Sequence, residues 1–349
     1  MNIQTMEVKN IRSYTHGLFQ FSEGVNIIVG PNASGKTNLL EAIHMLCIGR
    51  PFKSSDSDMV RRGEEWARID MSVDGDTRVL KLSGTPLQKT FTIGDTERKR
   101  LTQPVQVPIV LFEPSHMLLL SGEPEKRRSY IDGIISQVEP GFKTQLRSYK
   151  RALAQRNRLL KQEHTAQEDV FVWDVRLCEI ADTLVRYRTE YIDLINNVFT
   201  DNYRHVSGGD EALQLTYQSD CDTKNYSDSL LKQLKDGFAL DKLRGFTGAG
   251  PHRDDLRVMI DGNNAKNSAS RGETRSIVLA LKVAELGIVR DKTSAQPILL
   301  LDDVFGELDA KRRRMLAAMM SGHQTFITTT DADAIIKNFM ENYNVITIG

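Results

Sequence analysis

At 349 residues, with 40% hydrophobic and 26% charged side chains, the chain has the makeup of an ordinary globular protein of two or three domains. Lys plus Arg and Asp plus Glu number 46 each, so the formal net charge is zero and any surface for a polyanion has to be local. No apolar run reaches the ~20 residues of a membrane span, Met1–Glu7 lacks the features of a signal peptide, and the three scattered cysteines (Cys47, Cys178, Cys221) form neither a disulfide framework nor a zinc pattern; a reduced cytoplasmic protein without a membrane partner is expected.

Short strands are expected over Met1–Val8 and Leu18–Phe21, then a strand Val25–Val29 running into a glycine loop and a helix through Ile43. Ile69–Val73, Arg78–Ser83 and Lys89–Ile93 read as strands separated by Asp74-Gly75-Asp76 and Ser83-Gly84-Thr85-Pro86 turns, followed by an apolar strand over Val107–Phe112. The texture changes near Ser121. Residues 124–200 have almost no turn chemistry, and Trp173, Leu177, Ile180, Ala181 and Leu184 recur at helical spacing, which predicts two or three long helices. A strand can return over 213–217. After about Gly245 strand and helix alternate again: strand Leu256–Ile260, helix Arg271–Val289, strand Pro297–Leu301, helix Ala310–Met320, strand Thr325–Thr329. The expected class is α/β with a mixed sheet and an inserted all-helical arm. Its parts are residues 1–120 and 245–349 for the head and 121–244 for the arm.

Gly30-Pro31-Asn32-Ala33-Ser34-Gly35-Lys36-Thr37 fits the Gly-x4-Gly-Lys-Ser/Thr phosphate loop, between the strand and helix that motif requires. Glycine lets the backbone close on an anion, and the helix N-terminus adds its dipole. The loop through Asn38 is expected to bind ATP, with Lys36 on the β- and γ-phosphates and Thr37 on Mg²⁺. Asp302 ends the apolar strand Ile298–Leu301 and is the expected second Mg²⁺ residue; Asp303 is placed to polarise the attacking water.

About 260 residues separate the two motifs, far more than in simple kinases or small GTPases. Such a split predicts an ATPase head of the ABC or SMC type, with a third motif just before the second carboxylate strand. Ser270-Arg271-Gly272-Glu273 stands there. Ser270 with Glu273 is also a capping box, which by itself accounts for the pair. Gly272, costing about 1 kcal/mol in a first helical turn, is not explained by capping, whereas a helix start bearing Ser and Gly also suits an anion. In an ABC-type dimer, Ser270, Arg271 and Gly272 would face the γ-phosphate held by the other subunit.

Taken together, these segments resemble the RecF family, bacterial recombination mediators related to SMC ATPase heads. The resemblance spans nearly the whole chain. Asn10-Ile11-Arg12-Ser13-Tyr14, the loop block Gly30–Ile43 and Arg50-Pro51-Phe52 are similar to family segments, as are Phe112-Glu113-Pro114, Gly122–Asp132, Tyr149–Asn157 and Trp173-Asp174. Gly250-Pro251-His252-Arg253-Asp254-Asp255-Leu256 resembles a diagnostic block, and Asp302–Asp309 the second nucleotide motif with its D-loop aspartate, Asp309. Glu273 replaces the family's usual Gln, and Gly306 its usual Ser. The resemblance implies a weak ATPase that forms a homodimer on ATP, binds single- and double-stranded DNA at gapped junctions, and acts with RecR and RecO to load RecA. It also implies slow hydrolysis, because Asp303 stands where ABC-type enzymes more often carry the longer Glu.

Residues 143–162 carry Lys143, Arg147, Lys150, Arg151, Arg156, Arg158 and Lys161 and no acid. On a helix all but Arg156 fall within an arc of about 100°. Such a face is either a solvated surface or a ridge that tracks DNA phosphates. His323 reads as a turn residue, with Thr330 and Asp331 nearer the switch-histidine position of ABC-type enzymes. Trp173 reads as core, Gln103 and Gln106 are the candidates for a switch glutamine, and His252 has no assigned role. Three other classes fit the sequence less well: a transporter ATPase subunit, disfavoured by the helical insertion; a chromosome-organising ATPase, which needs long coiled coils; and a nuclease fused to a head, for which no spare domain remains.

Overall fold

The computed structural model describes residues 1–332 and 343–349. The chain divides into two compact units, one of Met1–Met117, His205–Gly208 and Arg275–Gly349, the other of Leu118–Arg204 and Gly209–Thr274.

The first unit opens with β1 (Ile3–Ile11), β2 (Tyr14–Gln20), β3 (Val25–Val29) and α1 (Lys36–Ile48). It continues through β4 (Trp66–Val73), β5 (Asp76–Ser83), β6 (Gln88–Ile93), β7 (Thr96–Arg98) and β8 (Ile109–Phe112). The second unit holds α2 (Pro124–Val138), α3 (Phe142–Leu160), α4 (Gln167–Ser207), β9 (Leu213–Gln218), α5 (Tyr226–Asp236) and α6 (Phe238–Arg244). It ends with β10 (Asp255–Ile260), β11 (Asn263–Asn264) and α7 (Ala265–Ser268). The chain then returns to the first unit along α8 (Arg271–Thr293), followed by β12 (Ile298–Asp302), α9 (Ala310–Met320), β13 (Thr325–Thr329) and β14 (Tyr343–Thr347).

The strands of the first unit form two sheets. One is antiparallel throughout, in the order β2-β1-β4-β5-β6-β7; the other is parallel, in the order β14-β3-β13-β12-β8. The mixed β content expected from sequence is thus divided between two sheets. The α1 helix touches strands of both, β1, β4 and β5 on one side and β8, β12 and β13 on the other. Eleven of its 13 residues are buried, and a helix apolar nearly all round belongs between two layers. The parallel strands β12 and β13 are buried along their whole length, as parallel strands covered on both faces must be. By contrast β4 alternates buried positions with partly exposed ones.

The second unit packs its helices around a three-stranded antiparallel sheet, β11-β10-β9, with α2 against β10. Three arginines tie its parts together. Arg156 of α3 donates to Asp174 of α4, to Asp241 of α6 at 2.7 Å and to the Thr247 hydroxyl at 2.9 Å. Arg188 of α4 grips Asp132 of α2 at 2.8 and 2.9 Å, and Arg127 grips Asp255 at 2.8 and 2.9 Å.

Two sequence expectations need correction here. The arm is not all-helical, and it does not end at 244: residues 245–274 belong to it. The reason is hydrogen bonding. Thr247 is bound by Asn157, the Pro251 carbonyl accepts from Arg188 at 2.7 Å, and β10 pairs with β9 along its length. The first strand of the alternation that resumes after Gly245, β10, is therefore part of the arm's own sheet.

Candidate nucleotide site and basic helix

The loop Gly30–Gly35 leaves the C-terminal end of β3 and enters α1, with Gly35 as N-cap at φ 107°. Two glycines are there for space. A Cβ on Gly30 would lie 2.2 Å from the Ile348 carbonyl oxygen, and one on Gly35 2.5 Å from the Ser13 hydroxyl. Ala33 also has a positive φ, 65°, a conformation that costs a non-glycine residue energy and that the loop's curvature imposes. Tyr14 donates its hydroxyl to the Gly35 carbonyl at 3.1 Å and Asn38 donates to Ser13 at 3.0 Å, so β2 and the β1–β2 turn hold the loop from behind.

Lys36 is buried, with its ammonium 2.8 Å from the Gly30 carbonyl and 2.7 Å from that of Pro31, across the mouth of the loop. The Ser34 hydroxyl is buried without a hydrogen-bond partner. An orphaned hydroxyl inside a glycine loop at a helix N-terminus fits an acceptor such as a phosphate oxygen.

Sequence separation closes at Asp302. Its Oδ1 accepts from the Thr37 hydroxyl at 2.8 Å and from the Thr328 hydroxyl at 2.8 Å, while its Oδ2 lies 3.6 Å from the Lys53 ammonium. The adjacency of β3, β13 and β12 in the parallel sheet delivers Thr37, Thr328 and Asp302 to one edge. A threonine hydroxyl and a carboxylate at that spacing are a donor set suited to Mg²⁺ beside a triphosphate. Asp303 follows at φ 53°, its N–H donated to the Thr328 hydroxyl at 2.9 Å. Partial burial and the neighbouring Asp302 carboxylate raise the Asp303 carboxyl above its ordinary value, which makes it a better proton acceptor.

The capping box read from sequence is formed: Ser270 N–H donates to Glu273 at 2.7 Å and Glu273 N–H to the Ser270 hydroxyl at 3.2 Å. These bonds to Ser270 hold the Glu273 carboxyl below its usual range. Ser270 and Arg271 are exposed and Gly272 half-buried. Asp309 caps α9, accepting from Arg312 N–H at 2.9 Å and from its guanidinium.

On α3, Arg147, Lys150, Arg151 and Arg158 are exposed, as is Lys161 just beyond it; Lys143 is half-buried. They lie opposite the buried stripe of Tyr149, Ala152, Arg156 and Leu160. The five exposed residues enter no ion pair among the described residues, and Arg147 and Arg151 contact only neighbours on their own helix.

Several residues left open by sequence find structural places. His252 accepts from the Tyr149 hydroxyl at 2.7 Å and donates through Nε2 to the Thr247 carbonyl at 3.1 Å; burial pushes its pKa down to about 4, so the ring is neutral. His323 stands in the turn between α9 and β13, as read from sequence, with its ring buried against the Pro297 carbonyl at 3.0 Å. Gln106 donates to the Ile48 and Leu101 carbonyls, a structural engagement. Trp173 is half-buried rather than core. Sequence reasoning missed Thr328, Lys53 and Ser13, which contact the site from strands and loops distant in the chain. Asp254, named from sequence only as part of the diagnostic block, accepts from Tyr217 at 2.6 Å, Tyr226 at 2.7 Å and Ser219 at 2.8 Å in the second unit.

Residues 2–348 match the RecF/RecN/SMC N-terminal domain family. The DNA replication and repair protein RecF of Symbiobacterium thermophilum is 36% identical over 349 residues, covering 96% of this chain and 93% of its own length. RecF of Bacillus subtilis is 35% identical over 358 residues, covering 96% and 95%. Among solved structures, the recombination mediator protein RecF-ATPrS of the RecFOR pathway superposes at TM-score 0.88 with 29% identity, covering 100% of this chain and 96% of its own. The RecF-ATP structure of the same pathway gives TM-score 0.84 with 29% identity, covering 94% and 92%. An Smc head bound to the C-winged helix domain of ScpA shares the fold at TM-score 0.55 and 16% identity, covering 96% and 91%. The chain belongs to the RecF family of DNA replication and repair proteins, built on the ATPase head that RecF shares with SMC proteins.

Proposed function

We propose that this chain is an ATP-switched recombination mediator. The observation that carries the reading is the 2.8 Å bond between Thr37 and Asp302, which joins the phosphate loop to the second carboxylate strand across the sheet. The loop N–H groups, the Ser34 hydroxyl and Lys36 bind the phosphates, while Thr37 and Asp302 would hold Mg²⁺. Mg²⁺ when bound neutralises charge on the β- and γ-phosphates. Asp303 orients the attacking water and takes its proton onto the carboxylate. A short side chain on a fixed, strained backbone reaches that water poorly, so hydrolysis is slow and the ATP state is long-lived.

Ser270, Arg271 and Gly272 of one subunit complete the site of a second, with Asp309 near that junction, so ATP drives homodimerisation. The exposed cations of α3 track DNA phosphates, and the dimer acts in the cytoplasm with RecR and RecO to load RecA at gapped DNA. Support for this part comes from the RecF relatives and from the exposed, unpaired character of the basic face.

Light scattering on the eluting protein tests the reading. With ATP, Asp303→Asn should accumulate as a dimer and Lys36→Ala should stay monomeric. Gapped DNA should raise the dimer fraction of the unaltered protein. Dimerisation indifferent to both nucleotide and DNA would set the proposal aside.

A further inference from the structure

The Asp302 side chain is 3% exposed, and a carboxylate that far from water needs an opposite charge beside it. Its Oδ1 is taken by two neutral donors, the hydroxyls of Thr37 and Thr328, each at 2.8 Å. Neither neutralises it. Among the described residues, the one cation within ion-pair distance is Lys53, whose ammonium lies 3.6 Å from Oδ2. The other lysine of the site, Lys36, is turned to the carbonyls of Gly30 and Pro31.

The Lys53 side chain is long and 57% exposed, so the ion pair alone would hold it loosely. Its backbone is fixed. Glu41 of α1 is 1% exposed; its Oε1 accepts from the Lys53 N–H and the Ser54 hydroxyl, both at 2.9 Å, and its Oε2 accepts from the Arg12 guanidinium at 3.0 Å. A buried carboxylate with both oxygens committed, and with Arg12 as its counter-charge, makes a firm anchor. Glu41 stands four residues after Thr37, so the two lie one turn apart on the same face of α1. One helix face therefore supplies the hydroxyl that meets Asp302 Oδ1 and the carboxylate that brings Lys53 to Oδ2.

We propose that Lys53 competes with the divalent cation for Asp302, and that Glu41 is the positioning residue that keeps it in competition. The competition presupposes that Thr37 and Asp302 hold the metal, as proposed above. An ammonium and a divalent cation repel each other strongly at one carboxylate oxygen, so the metal has to displace Lys53. Free Mg²⁺ gives up its water reluctantly and gains little from a carboxylate that is already neutralised. Metal arriving on a triphosphate brings negative charge with it, which offsets the lost ion pair. The site is thus biased toward metal and nucleotide entering together, and against metal entering first.

The test titrates Mn²⁺ into the full chain without nucleotide and reads free Mn²⁺ by its paramagnetic resonance signal. Lys53→Met should bind Mn²⁺ about tenfold more tightly than the parent, the order of effect of a half-exposed unit charge at this distance. Lys53→Arg keeps the cation and should bind as the parent does. Glu41→Ala should also tighten binding, by less than Lys53→Met, and should add nothing to Lys53→Met in the double variant, because it acts through Lys53. Damage to the fold weakens metal binding and so does not imitate a gain. Binding by Lys53→Met that is unchanged or weaker, or a Glu41→Ala effect that persists in the double variant, would overturn the proposal. Asp302→Asn with ATP present separates it from the reading beneath it. Mn²⁺ binding that survives this change would remove Asp302 as a metal residue, and the competition with it; binding that is lost, beside an unaltered Lys53→Met affinity, would overturn the competition alone.

Discussion

Arg156 is the only member of the α3 cation series that is fully buried, and it neutralises two carboxylates, those of Asp174 and Asp241. Removing one partner of a buried ionic cluster costs far more than the cluster contributes, because the others stay desolvated without their charge. Arg156→Met is therefore expected to lower stability by about 3–5 kcal/mol in urea denaturation. A loss under about 1 kcal/mol would mean that water reaches the carboxylates. His252 makes a different residue-scale prediction. Its pKa is about 4 in the folded chain and near 6.5 unfolded, so between those values the unfolded state binds more protons. Stability is then full above about pH 6.5 and falls as pH drops toward 4, by an amount on the order of 3 kcal/mol. Burial raises Asp174 and Asp254, which act in the opposite sense, so the comparison has to be made with His252→Gln, whose stability should lack that part of the slope. Identical pH profiles for the two proteins would contradict the assignment of a neutral ring.

At the scale of elements, the start of α8 shows where sequence reading succeeds and where it stops. Ser270 and Glu273 were legible as a capping box because both partners lie within one turn, and the box is formed. The strand β3, the loop and α1 were legible for the same reason: motif, periodicity and loop chemistry agree over a short stretch. Lys53 and Thr328 were not, since their relation to Asp302 depends on strand order, which no local pattern encodes. The arm's sheet was misjudged because β9 and β10 pair across 37 residues, from Gln218 to Asp255, with two helices between. Capping alone and a trans phosphate contact give different outcomes at α8. Ser270→Ala should cost about 1 kcal/mol of stability as a lost cap, but ATP-dependent dimerisation should fall well beyond what that loss explains. Glu273→Gln keeps an acceptor for the Ser270 N–H while removing a negative charge, so dimerisation at limiting ATP should strengthen. If both variants dimerise like the parent, the helix start is a cap and nothing more.

For the molecule as a whole, the balance of 46 basic and 46 acidic residues removes any long-range attraction to DNA, and binding has to arise from one surface. The α3 face is the strongest candidate because its exposed cations are unpaired and a single helix holds them in register, opposite the stripe that packs into the second unit. Each cation that neutralises a phosphate releases counterion, so affinity falls with salt on a slope set by the number of contacts. Replacing Lys150 and Arg151 together by Ala should flatten the log–log slope by about 1.8 on duplex DNA and about 1.4 on single strands. Affinity at low salt should fall alike on unrelated sequences, because phosphate contacts carry no base information. The double variant should fold as the parent does, since both side chains are exposed. Titration of labelled duplex and single-stranded DNA at several salt concentrations measures all of these quantities at once. An unchanged slope would move the DNA surface off α3, and a loss confined to one sequence would replace phosphate tracking with base recognition.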